Sequence, residues 1–564
     1  MAVVLCLAST VAFAAKKKAP VAGTTLFPAG AERGMTSIIT LTTKIDPLGR
    51  ELSIDCPGVQ IVPGEKNLVQ ISIAPTAPLG PHLIHVFNAD GASEPRWFSI
   101  GTLPEVREKE PNNAFGSEQA LDSLPVCING QLEKRGDVDL FTFSLNEGQI
   151  LVAAVEAYAI GSGVDALLQL RDDQQTVLAT AHDGRNLDPM LTFKAAKTGH
   201  YSLELAGFAH PPTADVNFVG GTAITYRLHV TTNPTPLRVF PAAVSRTGKN
   251  TLDLLGIGSI ATPFDGSRLP AEPLIQTISP PGALFPIQVA VTDTTVQRET
   301  EPNNELVQSM PLAVPSCVAG RIEKAGDIDR FSFQAKKGGQ FTFRLLAKSL
   351  GLPLDALLVV SDVQDKELAR NDEAEGDDPL LSWKAPADGV FQIKVSDLFN
   401  RGGEAAEYVL MMGTEQPTFS ATITSKPPLI AEAGKTFELK GAVKRSKGFT
   451  GDLVATVHGL PAGVTADPLP VPAKDGEFTV ILKAASNAVL SNGPIQLVVS
   501  TKSDKDPIIS HAARIDLRGE IRRGTTLLDQ MDYVWLTVQP TAPAAPAQTA
   551  SAPVPLAAKP SPAK

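Results

Sequence analysis

Two sets of oxygen-bearing side chains recur along the chain in the same internal order. In the first, Glu108, Glu110, Asn112 and Asn113 precede Asp137 and Asp139; in the second, Glu299, Glu301, Asn303 and Asn304 precede Asp327 and Asp329. Carboxylates and amide carbonyls are the hard oxygens that calcium collects, roughly six to eight at a time, so each set is a candidate calcium site. Strand phase adds a second reason. Asp137 and Asp139 share parity with Phe141 and Phe143, which puts both carboxylates on the core side where a strand begins, and an uncompensated charge there is costly. The same residue types also cap turns through side-chain to backbone hydrogen bonds, and spacing alone leaves both readings open.

Other chemistry is sparse. None of the eight histidines (His82, His85, His182, His200, His210, His229, His458 and His511) lies in a zinc-ligand spacing, and His82 and His85, three apart on an expected strand, read as surface residues on opposite faces. The run Gly256, Ile257, Gly258, Ser259, Ile260 lacks the last glycine of a nucleophile elbow. There is no phosphate-binding loop. Asp172 with Asp173, and Asp377 with Asp378, fall in turn-like stretches and read as solvated loops. Of Trp97, Trp383 and Trp535, each a possible sugar platform, Trp383 aligns with Phe193 of the other repeat and reads as core. No Cys-x-x-Cys spacing exists, which argues against a zinc or redox role for the cysteines, and Cys56, Cys127 and Cys317 cannot all pair with one another.

The two oxygen-rich sets belong to one long repeat. At an offset of about 190 residues, Glu110 to Asn113 returns as Glu301 to Asn304, Cys127 as Cys317, Gly136 to Phe143 as Gly326 to Phe333, and Asp188-Pro189 as Asp378-Pro379. Each copy closes on a strand, Tyr226 to Leu228 and Tyr408 to Leu410. Within a copy the apolar period is two, as in Phe141, Phe143 and Leu145 against Thr142 and Ser144, and turn residues interrupt the runs. The expected fold class is therefore all-β, as tandem antiparallel β-sandwich domains, jelly-roll-like in the repeats.

The expected order is a signal peptide (1–15), a β-sandwich (24–105), the first repeat (106–232), a smaller degenerate copy of the first sandwich (236–297), the second repeat (298–413), a further sandwich (417–540) and an Ala/Pro-rich flexible tail (541–564). The degenerate copy is read from Val239, Phe240, Pro241, Ala242, which echoes Leu26, Phe27, Pro28, Ala29. Fifty Lys and Arg against 60 Asp and Glu give a net charge of −10 with no basic stripe, which disfavours nucleic acid. The apolar run Ala2 to Ala15 is too short to span a membrane.

The repeat resembles the bacterial pre-peptidase C-terminal (PPC) domain, whose Glu-Pro-Asn-Asn start and Gly-Asp-x-Asp-x-Phe motif are matched at Glu110 to Asn113 with Gly136 to Phe141, and at Glu301 to Asn304 with Gly326 to Phe331. The flanking segments resemble IPT/TIG-type and bacterial Ig-like domains. The resemblance implies β-sandwiches of secreted bacterial proteins, and calcium bound by acidic and amide side chains of these same segments. Together these readings lead to the expectation of an exported, non-catalytic string of sandwiches, periplasmic, on the cell surface or extracellular. Its partners would be envelope or extracellular proteins or polysaccharides. The alternative is a secreted hydrolase or an accessory subunit of one.

Overall fold

The computed structural model describes residues 25–540 except 43–50, 66, 271–272, 374–377, 415–417, 447, 503–508 and 519–525. The expected signal peptide, Cys6, Asp377 and the Ala/Pro-rich tail lie outside the described residues. Among those described, the chain is all-β: strands and four short 3-10 turns, with no α-helix and no helix long and apolar enough to cross a membrane.

Alternation of apolar and polar residues builds paired sheets that bury one face against each other. In residues 25–101 the first strand is split. Thr25–Phe27 pairs antiparallel with Thr36–Thr42, and Gly30–Glu32 then crosses to the other sheet and lies parallel to Arg96–Gly101. Residues 235–297 repeat this device in smaller form, with Thr235–Phe240 against Lys249–Ile257 and Ala243–Ser245 parallel to Ile287–Thr292, in two three-stranded sheets. The C-terminal unit uses it again, with Phe419–Ile423 against Thr436–Arg445 and Leu429–Glu432 parallel to Val534–Gln539.

The long repeats share one topology. In the first, Glu105–Arg107 runs parallel to Val126–Gln131, which pairs with Thr225–Thr231; facing that sheet, Gln119–Ala120 runs parallel to Asp139–Leu145, which pairs with Gly199–Ala209. In the second, Val296–Arg298, Ser316–Arg321 and Glu407–Thr414 stand in the same order, as do Met310–Leu312, Asp329–Ala335 and Gly389–Asp397. Phe141, Phe143, Leu203 and Leu228 fill one core, and Phe331, Phe333, Trp383 and Ile393 the other.

The units do not form an open string. Among the described residues, the C-terminal unit returns to the start of the chain: the Trp97 indole N–H donates to the Leu528 carbonyl at 2.9 Å, and Asn492 donates to the Asn88 carbonyl at 3.4 Å. Arg518 sits over both Trp97 and Tyr158 and donates to the carbonyls of Tyr158 (2.6 Å) and Ala159 (3.0 Å). This contact overturns the surface reading of His85, which is 2% exposed, stacked on Trp535 at 4.5 Å and bonded to the Tyr533 hydroxyl at 2.9 Å. Strand parity cannot see a partner domain. Asp378 is likewise no solvated loop residue. It accepts the backbone N–H groups of Lys348 and Ser349 at 2.9 Å, as Asp188 accepts those of Ala157, Tyr158 and Ala159 at 2.7–2.8 Å.

Candidate metal centres in the two repeats

Each repeat opens with a strand that passes directly into the acidic segment. Glu105–Arg107 leads to Glu108 and Glu110, and Val296–Arg298 leads to Glu299 and Glu301. The core strand starting at Asp139 or Asp329 runs alongside, held by the Leu140 N–H donating to the Asn112 carbonyl at 3.0 Å in the first copy. The two motifs, 23 or more residues apart in sequence, are thereby brought together.

In the first copy, carboxylate oxygens of Glu110, Asp137 and Asp139 lie within 4.8 Å of one another; in the second, those of Glu299, Glu301 and Asp329 do. The fourth carboxylate of each set, Glu108 or Asp327, is in the same network. The Tyr226 hydroxyl joins Asp139 (2.6 Å) to Glu108 (3.1 Å), and Tyr408 joins Asp329 to Glu299 at the same distances. Asn113 and Asn304 donate their side-chain amides to Asp137 and Asp327, whose other oxygens accept the N–H groups of Glu133 (2.5 Å) and Glu323 (2.7 Å). Gln131 and Arg321 give their N–H groups to Glu108 and Glu299. All twelve residues singled out in the sequence thus fall in two equivalent clusters, and the turn-capping role of Asp137 and Asp327 coexists with the cluster rather than replacing it.

These bonds leave several buried polar atoms over. Asp139 and Asp329 are fully buried, and each keeps an Oδ1 without a partner; Asn112 and Asn303, also fully buried, keep both side-chain polar atoms unpartnered, and Glu301 keeps Oε1. Buried polar atoms are rarely left so. The described ion pairs of the first repeat, made by Arg135, Arg171, Lys197 and Arg227, go elsewhere. Burial pushes the carboxyls of Glu108, Asp139, Glu299 and Asp329 well above the usual carboxylate range, and their carboxyl neighbours add to the rise for Glu108 and Asp329, while the tyrosine hydroxyls oppose it. Such a group of carboxyls must either take up protons or share a metal ion. The donor set, carboxylates and amide oxygens without sulfur or imidazole, fits a hard cation such as calcium.

Sequence reasoning missed the tyrosines and the glycines beneath them. A Cβ on Gly130 would stand 2.2 Å from the Tyr226 hydroxyl, and one on Gly320 2.3 Å from that of Tyr408, so only glycine lets the phenol reach the carboxylates. The signal was present in the repeat, since Tyr226 and Tyr408 stand second in its matching last strands.

Elsewhere, Trp383 packs in the core of its repeat, while Trp97 and Trp535 are covered by the C-terminal contact rather than standing as sugar platforms. Cys56, Cys127 and Cys317 are buried free thiols.

Residues 137–207 match the family of the bacterial pre-peptidase C-terminal domain, and this part of the chain is such a domain. Over 99 residues, 17% of the chain, it is 35% identical to a probable subtilase-type serine protease of Deinococcus radiodurans, and the chain spans only 14% of that relative's length. Similar solved structures include the pre-peptidase C-terminal domain of a collagenase from Bacillus anthracis (19% identical, 22% of this chain and 100% of that one, TM-score 0.16). Domains 1–6 of the surface layer protein SbsC also match (9% identical, 91% of this chain and 53% of that one, TM-score 0.14).

Proposed function

We propose that the protein is an exported, non-catalytic scaffold of β-sandwich binding or spacer modules, in which residues 106–232 and 298–413 are both PPC domains and each holds one calcium ion close to its junction with the domain before it. Export is supported by the composition of the apolar run Ala2 to Ala15 and by the PPC family match of residues 137–207. The observation that carries the calcium reading is the buried, half-satisfied carboxylate cluster at the same place in both repeats, with fully buried Asn112 and Asn303 unpartnered beside it. Glu108, Glu110, Asn112, Asp137 and Asp139 would hold the first ion, and Glu299, Glu301, Asn303, Asp327 and Asp329 the second. A bound calcium supplies fixed positive charge and takes part in no reaction.

The site's position gives it a mechanical role. Only the segment from Gly101 to Glu105 separates the last strand of the first sandwich from the first strand of the PPC domain, and Thr292 to Val296 does the same further on. An ion tying Glu108 and Glu110 to Asp139 anchors that crossing to a core strand. Hydrogen exchange of the full chain tests this: calcium should slow exchange at residues 105–113 and 296–304 together, and equal exchange with calcium and with chelator would contradict it.

The Deinococcus relative is the observation that favours a second reading, in which the modules accompany a peptidase. Turnover of casein or a common polysaccharide by the purified chain, abolished by a point substitution, would replace the non-catalytic reading.

A further inference from the structure

Four units meet around a cavity of about 580 Å³, lined from the first repeat by Arg185 and Met190, from the small sandwich by Leu237 and Phe285, from the second repeat by Leu350 and from the C-terminal unit by Leu527. Its walls are mostly apolar. Among the described residues, its charged groups are Asp183, Arg185, Arg238 and Lys348. Arg238 is spent on Glu407 (3.3 Å) and the Glu404 carbonyl (3.2 Å), and Lys348 on Asp355 (2.8 Å).

Arg185 is different. Its guanidinium carbon lies over the Phe285 ring, 3.9 Å from the centroid, and among the described residues it has neither a side-chain hydrogen bond nor an ion pair. Glu156 and Asp188 are the carboxylates that act on it, and both are committed. Glu156 accepts from Ser99 (3.0 Å) and pairs with His229 (3.1 Å) and Arg227 (3.4 Å), and Asp188 holds three backbone N–H groups. Contact with a ring face leaves the N–H fork of an arginine free at its edge, and that fork matches a carboxylate with two parallel bonds. Arg185 is half-buried, and a bound carboxylate would give its guanidinium the two parallel hydrogen bonds that no acceptor among the described residues supplies.

We propose that this cavity is a binding site for a small amphipathic carboxylate, its carboxyl group held by Arg185 and its apolar body lying against Met190, Leu237, Leu350 and Leu527. One uncommitted cation, with Asp183 close by, favours a monoanion over a phosphate dianion. The volume suits a medium-chain fatty carboxylate of roughly ten carbons, within the range of ligand pockets. A cleft of this volume takes a small molecule rather than a folded partner.

The test is isothermal titration of the full chain with decanoate, decanol and inorganic phosphate. Decanoate should bind saturably, at least about tenfold more tightly than decanol, and phosphate alone should give no saturable heat. Arg185→Met should weaken decanoate by about tenfold or more with little change in melting temperature, because Met keeps the apolar contact with Phe285 and the charge removed makes no hydrogen bond or ion pair among the described residues. Leu237→Trp, which fills the cavity and leaves Arg185 in place, should abolish binding and guards against a folding defect in the first variant. Absence of saturable decanoate binding, equal binding by Arg185→Met, or phosphate binding as tight as decanoate would each overturn the proposal.

Discussion

The two repeats carry the same acidic cluster but meet the sandwich in front of them through opposite chemistry. In the first, fully buried Arg227 reaches across to the Ser99 carbonyl (2.8 Å) and to Glu105 (2.8 Å), with Glu156 and His229 behind it. At the equivalent register of the second repeat stand Val409, Leu346 and Met411, which pack into one apolar cluster with Ala242, Ala243 and Ala290 of the small sandwich or lie against it. The sandwiches have adjusted in step. Gly30 and Ser99 face the arginine, whereas Ala243 and Ala290 occupy the same paired positions opposite the valine. Among the described residues, charge pairs remain at the second junction where Glu407 meets Arg238 and Arg321, and where Arg298 meets Asp253. One architecture therefore accepts either a charged or an apolar junction, provided both sides change together, while the cluster that sits at each junction stays the same.

The sharpest way to break this comparison is Arg227→Val alone. It removes the cation shared by Glu105, Glu156 and the Ser99 carbonyl in a dry junction, and it should destabilise the first repeat by about 3–5 kcal/mol in chemical denaturation. Installing the apolar set together, as Gly30→Ala, Ser99→Ala, Glu156→Leu, Arg227→Val and His229→Met, should recover most of that loss. If the five-fold variant is no better than Arg227→Val, the two junctions are not interchangeable solutions.

Gly30→Ala is the next largest. A Cβ there would stand 1.4 Å from an Arg227 guanidinium nitrogen, so overpacking should cost about 1–3 kcal/mol, whereas Ala243→Gly at the matching position should cost less. Arg227→Val should rescue Gly30→Ala, and a double-mutant cycle checks the coupling.

The smallest difference is in pH dependence. Burial alone would lower His229, but the Cys127 sulfur and the Glu156 carboxylate outweigh it and raise it to about 9. A histidine raised in the folded state stabilises fully below its ordinary value of about 6.5 and loses that contribution as pH rises through about 9. The first repeat should therefore weaken between pH 7 and 10 by at most about 1.4 kcal/mol per unit, and His229→Met should remove the slope. The second repeat, with Met411 at that position, should show no such component.

Much of this was legible in the residues. The repeat, its strands and all twelve oxygen-bearing residues followed from recurrence and from the parity of Asp137 and Asp139 with Phe141. The tyrosine bridges were not, because Tyr226 lies 87 residues from Asp139 and meets it only across the packed sheets. The return of the C-terminal unit was hidden for the same reason. Arg518 and Trp97 are ordinary in their local patterns, and only docking gives them a shared place, which is also why His85 read as a surface residue. The Arg227 layer could have been suspected, since Arg227 and His229 alternate with Tyr226 and Leu228 on a strand buried on both faces.

The central claim is that both junctions hold the same ion despite their different surroundings. Calcium titration of the chelator-treated full chain, followed by calorimetry, tests it most directly. Two ions should bind per chain, with Asp139→Asn removing one, Asp329→Asn removing the other, and each site surviving loss of its counterpart. No saturable binding, or stoichiometry unchanged in both variants, would contradict the account.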